Sequence, residues 1–196
     1  MEIRLMRMEG LPEALFGIGL SYGLTSEYED WDYVPFDRRM KLQEIAAKLC
    51  KAGAGEDKFL RQVVCWWDVT APRYWWAEAD TYKVGTVAQS ESTMHTIMRR
   101  PLTQDDFDEW GIPESHLAYL NGLVAQFGET KGNQSEFIRL KNALPEGFLQ
   151  RRIWTLNLAN MKNIYRQRRN HRLPQWRRVC DAFIEATPEF LRGMYE

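Results

Sequence analysis

The stretch between residues 63 and 95 constrains the fold most, because four of the eight tryptophans of this 196-residue chain lie within it. We predict a strand over residues 59–69, since this segment is rich in Val and Trp. Pro72 ends the strand, because proline cannot donate a hydrogen bond to a sheet ladder. Residues 89–95 (QSESTMH) are polar. An apolar run followed by short hydrogen-bonding side chains favours a buried scaffold that presents polar groups to a ligand.

Length and cysteine usage restrict the class of protein. The chain is long enough for one domain with a substantial core, and we predict a single domain over residues 1–196. No apolar run approaches the length of a transmembrane helix, and the N-terminal residues lack the pattern of a secretory signal. Cys50, Cys65 and Cys180 form no CxxC pair and have apolar neighbours. We therefore expect reduced thiols in a cytoplasmic protein, with no metal site and no membrane partner.

Charge is balanced overall but unevenly distributed. The formal net charge is −1, yet residues 147–180 contain nine Lys or Arg and no Asp or Glu. In a neutral protein, such a block favours an anionic small ligand, above all a phosphate, or a polar subunit interface. Binding of nucleic acid through this block is a further hypothesis, but the net charge provides no general attraction to a polyanion. We therefore do not expect a nucleic acid partner.

Periodicity and turn signals divide the rest of the chain into helices and loops. We predict helices over residues 36–51, 73–81, 114–127, 135–142, 149–169 and 174–186. Residues 14–23 contain three glycines and are predicted as the start of a strand or a loop. Loops are expected at residues 52–57 and 128–134.

The predicted helix over residues 149–169 carries most of the basic block. Its Ile153, Asn157, Met161, Ile164 and Arg168 share one face by three- and four-residue spacing. Asparagine and arginine thus interrupt an otherwise apolar stripe, and burying them without partners would be costly. Two interpretations remain open, a ligand-binding face and a solvated basic surface.

Three segments resemble the flavin-dependent thymidylate synthases. Residues 55–72 (GEDKFLRQVVCWWDVTAP) are similar to the family's GHxSPxEHxxFTFxxxxP motif, and residues 81–95 occupy the place of its signature RHRxxSxNExSxRY. Residues 141–176 resemble the family's RxxLP turn, its NxRSLxNFxxLR helix and its AQW ending. The residues that carry this third likeness are Lys141, Leu144, Pro145, Asn157, Asn163, Arg168, Gln175 and Trp176.

The resemblance implies a fold and a chemistry. The fold would be α/β of the α+β type, with a central, mainly antiparallel sheet packed with helices and with active sites at the subunit interfaces of a homotetramer. Members of this family use reduced FAD to pass a methylene group from methylenetetrahydrofolate to C5 of dUMP, and NADPH supplies the electrons. They use no cysteine nucleophile. We therefore expect a flavoprotein of nucleotide biosynthesis, a methyltransferase of the thymidylate synthase type that acts on dUMP or a related pyrimidine nucleotide.

The resemblance also implies site residues. Arg168 would be the catalytic residue, because it would contact the pyrimidine and stabilise charge on its ring. The residues expected to bind the nucleotide are Lys141, Gln89, Ser90, Ser92 and Arg168. The residues expected to bind FAD are Lys83, Asn157, Asn163 and His171.

The signature segment departs from the family pattern and supports a second hypothesis. Thr81-Tyr82-Lys83 stands where the family has Arg-His-Arg, so only Lys83 keeps a charge. Each charge-assisted hydrogen bond contributes about 1.5–3 kcal/mol, and the lost arginines make phosphate binding less favourable. The second hypothesis is a non-catalytic nucleotide-binding or assembly protein that kept the fold and lost the flavin chemistry.

Each histidine has an alternative, structural role. His95 follows a Ser/Thr-rich segment and is either an acid or base near neutral pH or a hydrogen-bonded structural residue. His116 lies on a predicted helix without a partner, and we interpret it as structural. His171 lies close in sequence to Arg168 and Arg172, where it would bind a phosphate or remain a surface residue.

Overall fold

The computed structural model of the chain describes residues 1–53, 55–129 and 133–196. Its strands and helices follow one another as β1 (Glu2–Glu9), α1 (Leu11–Ser21), α2 (Phe36–Leu49), β2 (Val64–Pro72), α3 (Arg73–Ala79), β3 (Val87–Ser90), α4 (Thr93–Thr96), α5 (Glu114–Glu129), α6 (Gln134–Ala143), β4 (Leu149–Asn157), α7 (Leu158–Arg168) and α8 (Pro174–Ala186). Short 3-10 helices occur at Trp31–Tyr33, Lys58–Arg61, Gln104–Asp106 and Glu189–Tyr195. The loops predicted at residues 52–57 and 128–134 include Ala54 and residues 130–132, which lie outside the described residues.

The four strands form one antiparallel sheet in the order β1-β2-β4-β3. Along β2, buried residues alternate with half-buried ones, and the buried side includes Cys65, Trp67 and Val69. This period of two directs one face of the strand into the core. A mainly antiparallel sheet accompanied by several helices confirms the predicted α+β fold. The strand begins later than predicted, because Lys58–Arg61 forms a 3-10 helix.

The helix predicted over residues 149–169 is wrong in its first half. Residues 149–157 are strand β4, and only Leu158–Arg168 is helical. Trp154 and Leu156 are buried while Thr155 between them is not, which is the alternation of a strand. The four-residue spacing of Ile153 and Asn157 therefore crosses a strand–helix junction and does not define a helical face.

Asn157 marks the junction between β4 and α7. Its side-chain oxygen accepts a hydrogen bond from the Asn160 backbone N–H at 2.9 Å, and the Asn160 side-chain oxygen accepts one from the Asn157 backbone N–H at 3.2 Å. This reciprocal pair is a capping box, and it satisfies two backbone donors at the start of a helix. The helix begins here because of this local chemistry.

The remaining helix predictions agree with the structure, whereas a helix near the N-terminus was not predicted. The helices predicted at residues 36–51, 73–81, 114–127, 135–142 and 174–186 are confirmed as α2, α3, α5, α6 and α8. Residues 14–23, predicted as a strand or loop start, instead lie mostly in α1. The glycines favoured a strand or a loop over a helix. Gly19 nevertheless lies in α1, where its lack of a side chain makes room for Thr25. A Cβ at Gly19 would lie 2.3 Å from the Thr25 Cγ2 atom.

The chain divides into two compact units. Unit 1 comprises Met1–Glu2, Val69–Tyr82 and Ala88–Ile153, and unit 2 comprises Ile3–Asp68, Lys83–Val87 and Trp154–Glu196. In unit 1 the core includes Leu120 of α5, Leu140 of α6, and an edge-to-face pair of Phe107 and Phe148 with ring centroids 5.8 Å apart. The single domain expected over residues 1–196 stays a prediction.

The core of unit 2 is built on large aromatic side chains. Trp67, Trp154 and Trp176 are buried, and Phe183 of α8 packs against the first two with ring centroids 5.2 and 6.3 Å apart. Aromatic pairs at such separations add to the free energy gained from burial alone. The tryptophan-rich strand β2 thus contributes its Trp67 to the aromatic cluster around which unit 2 packs.

The three cysteines are free and buried, as predicted. Burial raises the pKa of the Cys65 thiol and of the Cys180 thiol to about 12. Thiols with such pKa values stay protonated at neutral pH and are poor nucleophiles. None of the described helices combines the length and the apolar character needed to span a bilayer.

The approach of Gly10 to the chain at Gln62 allows a direct test of the fold of unit 2. Gly10 precedes α1 with φ +87°, and a Cβ at this position would lie 2.4 Å from the Gln62 carbonyl oxygen. Gly10→Ala is therefore expected to lower the free energy of unfolding by about 2–4 kcal/mol, from the left-handed backbone and the clash with a main-chain atom. Urea denaturation followed by circular dichroism measures this loss.

Gly122→Ala is the matched control for Gly10→Ala. Gly122 lies in α5, and a Cβ there would meet no described atom within 4 Å. This replacement should raise the free energy of unfolding by about 0.5–1 kcal/mol, because alanine favours the helix. Equal stability of Gly10→Ala and the wild type would contradict the close approach at Gln62.

Candidate functional site

A cavity of about 650 Å³ lies in unit 2, between α1 and the 3-10 helix Lys58–Arg61. Its buried apolar lining residues are Ala14, Ile18 and Phe59. Its exposed polar lining residues are Ser21, Glu56, Lys58 and Gln62. Pockets of this size, with apolar walls and a few polar groups, are typical of small-molecule sites.

No site residue predicted from the sequence lines this cavity. The relevant signals were present, in the glycine-rich segment of residues 14–23 and in the GEDKFLRQ part of the strand motif. Residues 14–23 were predicted as the start of a strand or a loop, and residues 55–62 were divided between a loop and a strand. The cavity arises instead because α1 is helical and one of its faces lies against residues 55–62.

The capping box of α7 brings two of the predicted cofactor residues into one region of unit 2. The Asn160 side-chain amide donates a hydrogen bond to the Val84 carbonyl oxygen at 2.8 Å, next to Lys83. Gly85 has φ +74°, and a Cβ there would lie 2.9 Å from the Asn160 side-chain oxygen. The segment Lys83–Val87 is thus bound to the start of α7, beside Asn157. Lys83 itself is exposed.

The C-terminal end of α7 brings together two other predicted residues, Arg168 and His171. The Arg168 guanidinium lies 4.9 Å from the ring centroid of the buried Trp176, and the His171 ring meets the same tryptophan edge to face at 6.4 Å. His171 Nδ1 accepts a hydrogen bond from the Leu173 backbone N–H at 3.2 Å. Trp176 therefore supports both side chains, and a cation over an indole ring is held by electrostatic attraction as well as by packing.

In the described part of the chain, no observed contact joins Asn163 to Asn157, Arg168 or His171. Asn163 is exposed on α7, and its side-chain oxygen accepts a hydrogen bond from the Gln167 side chain at 3.0 Å, one turn along the helix.

In unit 1, Lys141 of α6 lies beside the polar segment that follows β3. Its ammonium group donates a hydrogen bond to the Thr93 hydroxyl, so Lys141 and Ser92 lie in the same region. The Glu91 backbone N–H donates to the Arg151 carbonyl oxygen at 2.9 Å, which anchors this segment to β4. Gln89 and Ser90 are exposed on β3, the last strand of the sheet.

Lys141 combines partial burial with the lack of a counter-charge. Burial lowers the pKa of its ammonium group, and the positive charge of Arg73 lowers it further. Within residues 1–53, 55–129 and 133–196 no carboxylate forms an ion pair with Lys141, whereas Arg73 pairs with Glu146 at 3.2 Å. A half-buried cation beside a hydroxyl group is electrostatically suited to an anion, which would stabilise the charged form of the lysine.

Not every residue of the basic block is available to a ligand. Arg152 donates to both carboxylate oxygens of Asp80 at 2.9 and 3.1 Å, and its guanidinium lies 4.4 Å from the ring centroid of Trp76. Its remaining nitrogens donate to the Gln150 side-chain oxygen. All of these residues belong to unit 1, where Arg152 therefore has a structural role.

The other two histidines belong to unit 1. His116 Nε2 lies 3.1 Å from the Ala143 carbonyl oxygen, a contact that links α5 to the end of α6. His95 is exposed on the short helix α4. In the part of the chain that the structure describes, no group of three or more His, Cys, Asp or Glu side chains is arranged to hold a metal ion.

Known structures share this fold. No protein-family model and no curated protein sequence matches the chain. Two crystal structures of flavin dependent thymidylate synthase ThyX from Helicobacter pylori, both with FAD and dUMP, match with a TM-score of 0.72. They are 15% and 17% identical in sequence, and each match covers 100% of this chain and 98% of the other. At this identity the likeness shows that the chain has the fold of these thymidylate synthases over its whole length.

Proposed function

We propose that the chain is a flavin-dependent enzyme of the thymidylate synthase type, which transfers a one-carbon unit to C5 of dUMP or a related pyrimidine nucleotide. The observation that carries the proposal is the shared fold, over the whole chain, with two proteins crystallised with FAD and dUMP. The polar residues described above supply groups suited to these ligands. NADPH and methylenetetrahydrofolate would be the co-substrates.

Lys141, Gln89, Ser90 and Ser92 would bind the nucleotide. The support is the electrostatics of Lys141, a half-buried cation without an ion pair among the described residues, beside the hydroxyl group of Thr93. A phosphate would accept hydrogen bonds from these donors, and a charged donor makes such bonds stronger. Lys141 would act on the nucleotide of a neighbouring subunit.

Arg168 would stabilise negative charge that develops on the pyrimidine ring. Its planar guanidinium is supported by Trp176, so little reorganisation is needed when the charge appears. Fixed hydrogen-bond donors of this kind account for a large part of the rate enhancement in enzymes whose transition state develops an oxyanion. The buried, protonated cysteines agree with a reaction that needs no thiolate nucleophile.

FAD would be held by Lys83, Asn157, Asn163 and His171, together with the cavity of unit 2. The cavity has the size of a small-molecule site, and its apolar wall with a polar opening suits a flat heteroaromatic ring that carries a polar tail. When bound, the flavin would supply the electrons that reduce the transferred one-carbon unit. The chain's own residues would bind it and exclude water.

Flavin binding tests this part of the proposal. Purified protein mixed with FAD should retain the visible flavin spectrum after gel filtration, and the flavin fluorescence should change on titration. Protein that stays colourless and leaves the fluorescence of FAD unchanged would count against a flavoenzyme.

Lys141→Met is expected to raise the dissociation constant for dUMP about 10- to 100-fold, because a charge-assisted hydrogen bond to the phosphate is lost. Isothermal titration calorimetry measures the affinity. Since the pKa of Lys141 is lowered, wild-type affinity should fall as the pH rises towards that pKa, at a lower pH than for an exposed lysine. This pH dependence should be absent in Lys141→Met.

Arg139→Met is the matched control on the same helix. Arg139 is exposed and pairs with Glu136 at 3.4 Å, so its replacement removes a positive charge from α6 without touching Lys141. The affinity for dUMP should change less than about two-fold, as expected for an exposed charge. Equal effects of the two replacements would show that Lys141 acts only through the general charge of the helix.

A non-catalytic nucleotide-binding or assembly protein is the second candidate. Thr81-Tyr82-Lys83 favours it, because the Thr81 hydroxyl donates to the Glu78 carbonyl oxygen at 2.7 Å and supplies no charge for a phosphate. Binding of dUMP without any product, in the presence of FAD and both co-substrates, would support this candidate.

We further propose that residues 1–196 act as one domain in a cytoplasmic homotetramer. Light scattering should give a mass about four times the 23.1 kDa of one chain. A monomer at micromolar concentration would contradict active sites shared between subunits.

A further inference from the structure

Lys162 occupies a position in α7 that normally belongs to an apolar residue. Leu158, Met161 and Ile164 are buried on the core-facing side of this helix, and Lys162 is buried with them at 3% exposure. Lysine is almost never fully buried unless it is paired, because its charge loses the solvation of water. Its presence therefore requires partners.

The ammonium group of Lys162 has three acceptors for its three N–H donors. It donates to the Cys50 carbonyl oxygen at 2.7 Å, the Ala52 carbonyl oxygen at 3.2 Å and the Asp57 carboxylate at 2.5 Å. An ammonium group can make no further hydrogen bonds, so the site is fully satisfied. All four residues belong to unit 2.

The three acceptors lie among residues 50–53 and 55–57, the described residues between α2 and the 3-10 helix Lys58–Arg61, and the term connection refers to these residues. Gly55 and Glu56 of this connection line the cavity, as do Leu49 at the end of α2 and Lys58 at the start of the 3-10 helix. Its backbone hydrogen bonds join residues three apart, from Glu56 to Gly53 at 3.2 Å and from Lys58 to Gly55 at 3.2 Å. Such turns fix the local geometry, whereas Lys162 ties the connection to α7.

A methionine at position 162 would fill the same space without the cost of burying a charge. Buried ion pairs are often no more stabilising than apolar side chains of similar volume, and their best-attested benefit is to specify one arrangement. The arrangement specified here is the path of the connection along the cavity.

We propose that Lys162 is a positioning residue that fixes the connection between α2 and the 3-10 helix Lys58–Arg61 as one wall of the cavity, and thereby sets the affinity of the cavity for its ligand. The inference rests on the proposed function only for the identity of that ligand, FAD. Lys162 contacts Cys50, Ala52 and Asp57, which are sequence neighbours of the lining residues Leu49, Glu56 and Lys58, and Lys162 itself does not line the cavity. Its replacement should therefore loosen this wall and weaken ligand binding at the same time.

The test compares Lys162→Met with Lys51→Met. Lys51 lies in the same connection but is exposed and pairs with Glu196, so its replacement removes a charge without releasing the acceptors of Lys162. For Lys162→Met, the dissociation constant for FAD, from quenching of flavin fluorescence, should rise about ten-fold or more. Native-state trypsin cleavage after Lys58 or Arg61, followed by mass spectrometry, should accelerate by a similar factor, about ten-fold. For Lys51→Met, the dissociation constant for FAD and the cleavage rate should each stay within about two-fold of the wild type.

Asp57→Asn keeps the experiment decisive if Lys162→Met does not fold by circular dichroism. Asp57→Asn removes the negative charge beside Lys162 but leaves the carbonyl oxygens of Cys50 and Ala52 as acceptors. The FAD dissociation constant and the cleavage rate should therefore both rise, but less than in Lys162→Met. Unchanged FAD affinity, or unchanged cleavage after Lys58 and Arg61, in a folded variant would overturn the inference. If the wild type binds no FAD, the proposed function fails, and the cleavage rates alone decide whether Lys162 positions the wall.

Discussion

Arg168→Ala is expected to lower kcat/KM for dUMP by about 100- to 1,000-fold, the usual effect of removing a fixed donor that stabilises charge in a transition state. The protein should remain folded, because Arg168 is only half-buried and its contact with Trp176 contributes about 0.5–1 kcal/mol to stability. Steady-state kinetics with dUMP as the varied substrate, together with a urea denaturation curve, separates the two effects.

Arg166→Ala is the control for this replacement. Arg166 lies on the same helix, two residues before Arg168, and is exposed. Its loss should change kcat/KM less than about two-fold, as is common for an exposed charge. If Arg168→Ala had wild-type kinetics, or if both variants lost activity equally, Arg168 would not be the residue that stabilises charge on the pyrimidine.

Trp176→Ala is expected to cause a large loss of stability, whereas Arg168→Ala is expected to lower kcat/KM with little loss of stability. Trp176 is fully buried in unit 2, and replacing a buried tryptophan by alanine costs about 3–5 kcal/mol through lost packing and the cavity that remains. The free energy of unfolding should fall by this amount in urea denaturation at one fixed protein concentration. Activity should fall too, because Trp176 supports Arg168 and His171.

Trp110→Ala is the matched control for the tryptophan. Trp110 is 81% exposed. Its backbone N–H donates a hydrogen bond to the Asp108 side chain, and this bond does not involve the indole ring. Its replacement should change the free energy of unfolding by less than about 0.5 kcal/mol. Equal losses at the two positions would contradict the packing assigned to Trp176.

Most helices could be predicted from the sequence because their apolar spacing and end signals agree. The helix predicted at residues 174–186 has the bounds of α8, since Pro174 occupies its first turn and Pro188 follows its end. Strand β4 was missed because Ile153 and Asn157 have helical spacing, although Trp154 and Leu156 alternate with less buried neighbours. The start of α7 is instead set by the capping box, in which Asn157 and Asn160 exchange hydrogen bonds.

The candidate site was less accessible from the sequence, because its contacts join distant parts of the chain. Lys141 was expected from its motif position, but the motif does not reveal Thr93, 48 residues away, or the lowered pKa of the lysine. Lys162 was missed, although a lysine between apolar residues at helical spacing was a usable signal. Its three acceptors lie more than 100 residues earlier, and no periodicity within α7 identifies them.

Product formation tests the central claim most directly. The purified 196-residue chain would be incubated with FAD, NADPH, methylenetetrahydrofolate and either dUMP or dCMP, and the nucleotides analysed by mass spectrometry. We expect a C5-methylated nucleotide, dTMP from dUMP, whose formation requires FAD and is lost in Arg168→Ala. Protein that binds FAD and nucleotide but forms no methylated product would contradict the enzyme and favour the non-catalytic alternative.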